Sequence, residues 1–322
     1  MLKIDSKTIR FLSRMGSRGV LGQVIYDLAC EGHDFYAVTA DLSHASGFDR
    51  LEKSFPDKLV NVGIAEQNLI GVAAGLAASG TPVVATTWAM FASSRVADQV
   101  RNYMGYMQRN IKLIGMDSGF VQSRFSYSHT NPPDIAIMRT IPGITILSPC
   151  DGVEIYSAIY AALKIDGPVY IRLTGDTTLP IVHRENEFKY EIGKSIVLQE
   201  GKKIAILATG NVVRNAIEAA QILKEKKLDI TVADVHTICP IDTKLLNELI
   251  SYDLVVTVEE HMIQGGFGSS VAEFYAKQKK RPQVVLLGVD NQFTVSGSVQ
   301  FEHNCFGLLP EQIADIIMRI NS

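Results

Sequence analysis

The feature that most constrains the fold is a repeated alternation between short apolar runs, rich in Val and Ile, and longer segments of helical character. The apolar runs are FYAVTADL, TPVVATT, IKLIGM, ITILSP and PVYIRL, followed by KIAILATG, DITVADV, LVVTVEE and QVVLLGV. Runs of this kind are typical of strands buried on both faces, and their alternation with helices favours parallel sheets with helices on both sides. The sequence therefore predicts an α/β fold with two doubly wound, mostly parallel sheets.

A polar stretch, TGDTTLPIVHRENEFKYEIGKS, separates the first five apolar runs from the last four. Domain boundaries fall in such stretches, and a chain of 322 residues is long enough for two domains with their own cores. We expect a first domain at residues 1–178, a linker at 179–192 and a second domain at 193–322.

Charge and cysteine usage exclude several classes of protein. The 31 Lys and Arg residues against 34 Asp and Glu residues give a net charge of -3, so no basic surface for nucleic acid is expected. The cysteines form no C-x-x-C pair, which disfavours a structural zinc site or a disulfide framework and favours a reducing cytoplasm. They are Cys30, Cys150, Cys239 and Cys305.

Two segments bear on export and membranes. The N-terminal MLKIDSKTIRFLSRMG mixes charges into its apolar residues and lacks the continuous apolar core of a signal peptide. Residues 69–92 carry no charge and are long enough to span a bilayer, but ASGTP divides them. We expect a buried helix followed by a buried strand there, and no membrane partner.

The segment NVGIAEQNLIGVAAG, residues 61–75, places a single carboxylate, Glu66, among small and apolar residues. One interpretation is helix chemistry, since an acid in the first helical turn interacts favourably with the positive end of the helix dipole. The other is a catalytic carboxyl group. The segment alone leaves both open.

The neighbouring sequence favours the second interpretation. NVGIAEQNLIGVAAG continues into TTWAMFASSRVADQVRN, and SHTNPPDIAIMRTIPGITILSPCDGVE and GPVYIRLTGD follow. Together these segments resemble the pyrimidine-binding domain of the transketolase family, and VTVEEHMIQGGFGSSVAE resembles its C-terminal domain. The resemblance covers nearly the whole chain. It implies a thiamine-diphosphate enzyme that transfers a two-carbon ketol unit from a ketose phosphate to an aldehyde acceptor.

The resemblance also implies roles for residues on the cofactor side. Glu66 matches the carboxyl group that hydrogen-bonds the aminopyrimidine, for which it must carry its proton in a poorly solvated site. Phe91 matches the ring that stacks on the pyrimidine, with Trp88 lining the same pocket. Asp41 and Ile64 fall where the family contacts the cofactor. Ordinary core packing is the alternative for the two aromatic residues, which are three positions apart.

His129, in YSHTNPPD, matches the family histidine that faces the reacting carbons of the substrate. Such a group can hydrogen-bond a developing alkoxide and pass protons near neutral pH. The alternative is a solvated loop histidine. The loop departs from the family pattern D-G-x-x-H-Q, because it reads FSYSHT and has Thr130 in place of the glutamine. Recognition of the donor or acceptor is therefore expected to differ from that of ordinary pentose phosphates.

Two arginines match family positions for a substrate phosphate, Arg14 in SRMGS and Arg172 in YIRLTG. Planar guanidinium groups suit phosphate oxygens, although solvated surface arginines are the alternative interpretation. His44, close after Asp41, is a further candidate for contact with substrate.

The sequence contains no G-D-G motif, which in full-length relatives holds Mg²⁺ and the diphosphate. The chain is thus expected to be the C-terminal subunit of a split transketolase. Its partner would be an N-terminal-half subunit that binds Mg²⁺ and the diphosphate, in an α2β2 heterotetramer acting on sugar phosphates. Two alternatives remain open: a β subunit of a 2-oxo acid dehydrogenase, and a non-catalytic binding subunit that kept the fold.

Overall fold

The structure is a computed structural model that describes residues 2–130, 133–175, 177–184 and 188–321. Within these ranges the strands are β1 (Tyr36–Thr39), β2 (Leu59–Asn61), β3 (Val83–Trp88), β4 (Ile111–Met116), β5 (Thr145–Leu147), β6 (Val169–Arg172), β7 (Ile196–Gln199), β8 (Ile204–Ala208), β9 (Ile230–Asp234), β10 (Thr237–Cys239), β11 (Leu254–Met262) and β12 (Gln283–Val289).

The α-helices are α1 (Ser6–Cys30), α2 (Asp49–Ser54), α3 (Glu66–Ala77), α4 (Ala97–Gln99), α5 (Asp134–Arg139), α6 (Gly152–Ala162), α7 (Val213–Glu225), α8 (Thr243–Glu248), α9 (Phe267–Ala276), α10 (Val299–Cys305) and α11 (Pro310–Asn321). Two π-helical segments, Phe91–Arg95 and Val100–Tyr106, flank α4. Short 3-10 turns occur at Pro56–Lys58, Ser123–Ser128, Gly210–Val212 and Leu249–Ser251.

The strands form two sheets. The first has the order β10-β5-β6-β4-β3-β1-β2 and the second the order β12-β11-β8-β9-β7. Neighbouring strands are parallel except at one edge of each sheet, where β10 is antiparallel to β5 and β7 is antiparallel to β9. The predicted α/β fold with two mostly parallel sheets is confirmed.

The two halves of the chain are joined more closely than the sequence indicates. Strand β10 comes from the second half but pairs with β5 of the first, with Thr237 opposite Leu147 and Cys239 opposite Ile146. One hydrophobic cluster also contains Leu69 of α3 and Phe267 of α9. The domain boundaries at residues 178 and 193 stay a prediction, and across them the two halves share a strand pair and a core.

Helices cover the remaining faces. Helix α1 packs on α6 over the other side of the first sheet, and α7 packs on α11 over the second. The uncharged segment 69–92 forms most of α3 and then β3, as expected from its dividing turn. Among the helices of the described ranges, none combines the length and the hydropathy that a bilayer crossing requires.

Parallel strands bring their carboxyl ends to one edge of the first sheet, which is where ligands bind in folds of this kind. The loop after β1 is held against α1 at this edge by a glycine contact. A Cβ atom on Gly22 would lie 2.8 Å from the Cα of Gly47, so neither the helix nor the loop tolerates a side chain there. The loop carrying Asp41 and His44 is thus positioned by backbone packing.

Candidate active site

Glu66 is the first residue of α3, directly beyond a turn in which Gly63 has a φ of +74°. Its side chain is only 8% exposed. Arg95 Nη1 donates a hydrogen bond to Glu66 Oε1 at 2.8 Å. The expected poorly solvated position is therefore present, but the expectation of an apolar neighbourhood is wrong, because a guanidinium group contacts the carboxyl.

Arg95 connects Glu66 to the two other predicted residues of this region. Its guanidinium lies 3.7 Å from the centroid of the Phe91 ring. The Phe91 ring is 5.6 Å from the His129 ring, centroid to centroid, at an interplanar angle of 65°. The structure thus brings Glu66, Phe91 and His129 into one contiguous group. Arg95 was missed in the sequence, because its contact with Glu66 joins residues 29 positions apart.

The loop after β1 and the turn before α3 share one amide side chain. Asn61 Oδ1 accepts hydrogen bonds from the backbone N–H groups of Asp41, at 2.9 Å, and Gly63, at 3.0 Å. Asp41 itself has a φ of +59° and an exposed side chain. Ile64, on the same turn, is 81% exposed. Both residues therefore lie at the surface beside Glu66.

Trp88 ends β3 and has a cationic neighbour from α1. The Arg18 guanidinium lies 5.5 Å from the Trp88 ring centroid, and Arg18 Nε is 3.6 Å from Asp117 Oδ1 at the end of β4. Arg18 also lines a cavity of about 290 Å³ together with His44. The sequence predicted a role for Arg14 but not for Arg18, which follows it beyond a kink in α1 at Gly16.

His44 is highly exposed, with 94% of its side chain accessible, and its Nδ1 lies 3.0 Å from Asp49 Oδ1. This hydrogen bond lowers the pKa of Asp49. Arg14 is also exposed but lines a separate depression with Lys7 and Arg10. Both side chains are accessible, and neither belongs to the group around Glu66.

Arg172 contradicts its predicted role. It is fully buried, its Nε donates to Asp134 Oδ2 at 2.9 Å, and its Nη2 donates to the carbonyl oxygen of Glu260 at 2.5 Å. Since Glu260 belongs to β11 of the second sheet, Arg172 joins the two halves of the chain. A guanidinium without exposed surface is not placed to bind a substrate phosphate.

The loop that carries His129 is attached to the second half of the chain. Thr130 Oγ1 lies 2.7 Å from Thr294 Oγ1, and Ser123 Oγ donates to the carbonyl oxygen of Gly297 at 2.8 Å. The threonine that replaces the family glutamine at position 130 is thus buried and contacts the second half of the chain. Asn131 and Pro132 of the same motif lie outside the described residues.

A second aromatic ring at the loop comes from the altered motif. Phe125, at the position of the family acid, has its ring centroid 5.2 Å from that of His129 and is 53% exposed. His129 therefore lies between Phe91 and Phe125, and Ser128 Oγ is 3.0 Å from its Nδ1. A histidine in contact with two aromatic rings can present a proton donor or acceptor to a small ligand.

Comparisons with known proteins identify the family of the chain. The transketolase pyrimidine-binding domain matches residues 13–178, and the transketolase C-terminal domain matches residues 193–313. An apulose-4-phosphate transketolase subunit of Actinobacillus succinogenes is 37% identical over 292 residues, covering 90% of this chain and 93% of that protein. A 6-deoxy-6-sulfo-D-fructose transketolase subunit of Clostridium sp. strain MSTE9 is 37% identical over 278 residues, covering 86% and 85%.

A solved structure is similar over nearly the whole chain. It is a split-gene transketolase in an inactive β4 tetramer, with a TM-score of 0.84, 33% identity, and coverage of 95% of this chain and 97% of that one. Enzymes of the transketolase family use thiamine diphosphate. Sequence, fold and relatives therefore agree that the chain belongs to the transketolase family, as a C-terminal subunit of the split type that carries the pyrimidine-binding and C-terminal domains.

Proposed function

We propose that this chain supplies the pyrimidine side of a thiamine-diphosphate site in a two-subunit transketolase, with Glu66 as the carboxyl group that contacts the aminopyrimidine. The observation that carries the proposal is the arrangement of Glu66, Arg95 and Phe91. A flat, nitrogen-bearing group, the Arg95 guanidinium, lies on the Phe91 ring and donates to the Glu66 carboxyl.

The Phe91 ring and the Glu66 carboxyl fit an aminopyrimidine that takes the place of the guanidinium, with the hydrogen bond reversed. Glu66 Oε1 accepts from Arg95 in this structure, whereas a protonated Glu66 carboxyl would donate to the pyrimidine nitrogen. An aromatic face and a buried carboxyl together select a planar group with ring or amino nitrogens at its edge. Stacking of the cofactor ring on Phe91 requires Arg95 to leave that face. Arg95 is 45% exposed, so its side chain has solvent to move into.

The chemistry that thiamine diphosphate supplies is nucleophilic attack on the ketose carbonyl and temporary storage of the two-carbon unit. Glu66 holds a proton at its carboxyl oxygen and orients the pyrimidine through it. His129 hydrogen-bonds the substrate oxygen on which negative charge develops. Trp88, Asp41 and Ile64 line the cofactor, and the rings around His129 limit the access of water.

The chain offers half of such a site, and its exposed apolar side chains support a partner at this edge. Ile64, Phe125 and Phe293 are 81%, 53% and 71% exposed, and the last two belong to the His129 loop and its contact segment. The ring of Phe293 lies 4.3 Å from that of Tyr127. We infer an α2β2 assembly in which a diphosphate-binding subunit brings the Mg²⁺ site.

The substrates are proposed to be sugar phosphates or similarly anionic sugars. Arg14 and His44 are accessible near this face of α1 and the β1 loop, and Arg18 lines the cavity beside His44. The relatives named for apulose 4-phosphate and for 6-deoxy-6-sulfo-D-fructose support a ketose that carries an anionic group. The four cysteines are free thiols, which supports the predicted reducing cytoplasm.

Reconstitution tests the proposal. The chain is co-purified with its diphosphate-binding subunit, and cofactor binding and ketol transfer from a ketose phosphate are measured. We expect the complex to bind thiamine diphosphate and transfer the unit, and the chain alone to be inactive. Full activity of the chain alone would refute the proposal that it supplies only half of the active site. Release of CO₂ from pyruvate would instead favour a β subunit of a 2-oxo acid dehydrogenase. Cofactor binding without turnover would favour a non-catalytic subunit.

A further inference from the structure

A second cluster of polar side chains lies between the two sheets, apart from the group around Glu66. Cys150 precedes α6, Glu154 lies in its first turn, His183 belongs to the segment between the two halves, and Asp234 ends β9. All four are buried, with exposures of 4% or less. One ligand atom from each lies within 4.8 Å of the others.

Two of the distances between these atoms match the edges of a tetrahedral metal site. With metal–sulfur bonds of about 2.3 Å and metal–nitrogen or metal–oxygen bonds of about 2.0–2.1 Å, ligand atoms are about 3.3–3.6 Å apart. His183 Nε2 is 3.5 Å from Cys150 Sγ and 3.6 Å from Glu154 Oε1.

Asp234 supplies the fourth ligand atom, and its distances to two of the other ligand atoms are slightly shorter. Its Oδ2 is 3.1 Å from Cys150 Sγ and 2.9 Å from His183 Nε2, as expected for a hydrogen-bonded carboxylate. A metal ion at the centre would replace these hydrogen bonds with four coordinate bonds. An outward shift of a few tenths of an ångström brings the short edges to the tetrahedral value.

Neighbouring groups orient the side chains of the cluster. Asp151 Oδ2 accepts the backbone N–H of His183 at 2.9 Å, which fixes that residue over the start of α6. Glu154 Oε2 accepts the backbone N–H of Cys150 at 2.7 Å, and the other oxygen faces the cluster. Contacts of this kind hold metal ligands in place in known sites.

Unused hydrogen-bonding capacity points into the same space. In the part of the chain that the structure describes, Glu154 Oε1, the carboxylate oxygen that faces His183, is buried without a hydrogen-bond partner. Buried carboxylate oxygens rarely remain unpaired, and each one calls for an explanation. A cation between the two carboxylates would supply it.

We propose that Cys150, Glu154, His183 and Asp234 form a structural binding site for Zn²⁺. Thiolate and imidazole ligands in a tetrahedral arrangement favour zinc over magnesium or calcium. Cys150 binds as the thiolate and His183 binds through an Nε2 that carries no proton, so the protons of the thiol and of the Nε2–Oδ2 hydrogen bond both pass to solvent. The site joins α6 of the first half, the connecting segment and β9 of the second half, so the metal clamps the two halves together.

A groove at the surface reaches one ligand of the site, His183. A surface groove of about 310 Å³ is lined by His183 and by its neighbours Val182 and Arg184. Sequence spacing disfavoured zinc because the four ligands are spread over more than eighty positions and contain no C-x-x-C pair. The fold, and not local sequence, brings them together.

Cobalt substitution tests the proposal in the intact chain. The tag-free protein is stripped with EDTA, dialysed into metal-free buffer and titrated with Co²⁺, and Zn²⁺ is then added. We expect one Co²⁺ per chain, visible absorption bands of tetrahedral cobalt with a thiolate charge-transfer band, and their loss on adding Zn²⁺. Zn²⁺ should also raise the melting temperature of the stripped protein.

Variants assign the ligands. Cys150→Ser should abolish the charge-transfer band, and Asp234→Asn should weaken Co²⁺ binding at least about tenfold. Cys305→Ser, at an exposed cysteine, is the control and should bind as the wild type does. The proposal is overturned if the folded wild-type chain gives no charge-transfer band, if the band persists in Cys150→Ser, or if Cys305→Ser abolishes it. The Co²⁺ titration of the wild-type chain tests the proposal even if a variant fails to fold.

Discussion

At the scale of single residues, buried titratable groups determine how the chain responds to pH. His261, near the end of β11, is fully buried. Its Nε2 accepts the backbone N–H of Ala136 at 3.2 Å and its Nδ1 donates to the carbonyl oxygen of Met262 at 2.6 Å, so the ring is neutral. Burial lowers the pKa of His261 to about 4, although the nearby Asp134 acts in the opposite direction.

The lowered pKa predicts a loss of stability in acid. Unfolded His261 takes up a proton below about pH 6.5, whereas folded His261 does so only near pH 4, so the unfolded state gains protons first. The free energy of unfolding has its full value above pH 6.5, the pKa of the unfolded histidine. It falls by about 3 kcal/mol as the pH drops from there to about 4. Chemical denaturation at pH 7.5 and pH 4.5 measures it.

His261→Gln is the matched variant, because it removes the titrating ring. Asp134 and Glu259 face position 261 in both proteins, so the difference between wild type and variant isolates the histidine. The free energy of unfolding of the wild type should fall more steeply with acid. Parallel pH profiles for the two proteins would contradict this assignment.

Individual residues of the candidate site differ in how far the sequence could predict them. Glu66 and Phe91 lie in two motifs 25 positions apart, and the resemblance to the transketolase family pointed to both. Arg95 was missed because its contact with Glu66 spans 29 positions, which local sequence does not reveal. Arg172 was misassigned because burial by the second half of the chain is a tertiary property that a strand motif does not reveal.

At the scale of elements, the loop 123–130 depends on the second half of the chain for its position. Thr130 and Thr294 form a buried hydroxyl pair between this loop and the segment after β12. His129 directly precedes Thr130, so the pair also fixes the proposed catalytic histidine.

We predict that Thr130→Val destabilises the loop by about 1–3 kcal/mol, because the buried Thr294 hydroxyl loses this partner. Thr294→Val should cost less, because Thr130 Oγ1 still donates to the carbonyl oxygen of Ser126 at 3.3 Å. The double variant should cost less than the sum, since no unpaired hydroxyl then remains. Hydrogen exchange of the amides of the loop measures the opening free energy. Strict additivity of the two single changes would show that the hydroxyls do not interact.

The strands show why some elements can be read from the sequence and others cannot. All nine apolar runs form strands, and all of these except the edge strand β12 are largely buried, as their apolar character predicts. The missed strands β2, β7 and β10 have only three or four residues and lie at sheet edges, and β2 and β7 each contain an exposed position. The pairing of β10 with β5 is set by the packing of the two halves.

At the scale of the whole molecule, helix α3 presents small residues beside the half-site. Cβ atoms added at Gly71 or Gly75 would meet nothing within 4 Å in this chain. Such space suits the close approach of another helix, which fits the proposal that a partner subunit covers this edge.

Substitution of Gly75 separates folding from assembly. Gly75→Ala should raise the free energy of unfolding of the chain by up to about 1 kcal/mol, or leave it unchanged, because alanine favours the helix more than glycine does. Gly75→Leu should fold equally well but weaken association with the diphosphate-binding subunit, since the larger side chain fills the interface. Analytical ultracentrifugation of the mixed subunits measures this. Unchanged association of the leucine variant would exclude α3 from the interface.

The central claim is that Glu66 acts as the carboxyl group of a cofactor site completed by a second subunit. The direct measurement is kcat for ketol transfer by the reconstituted complex at saturating thiamine diphosphate, with wild-type chain, Glu66→Gln and the surface control Glu218→Gln. The account predicts a loss of about 100-fold or more for Glu66→Gln, because the amide lacks the carboxyl proton that the pyrimidine requires, and no loss for the control. Equal turnover by wild type and Glu66→Gln would contradict it.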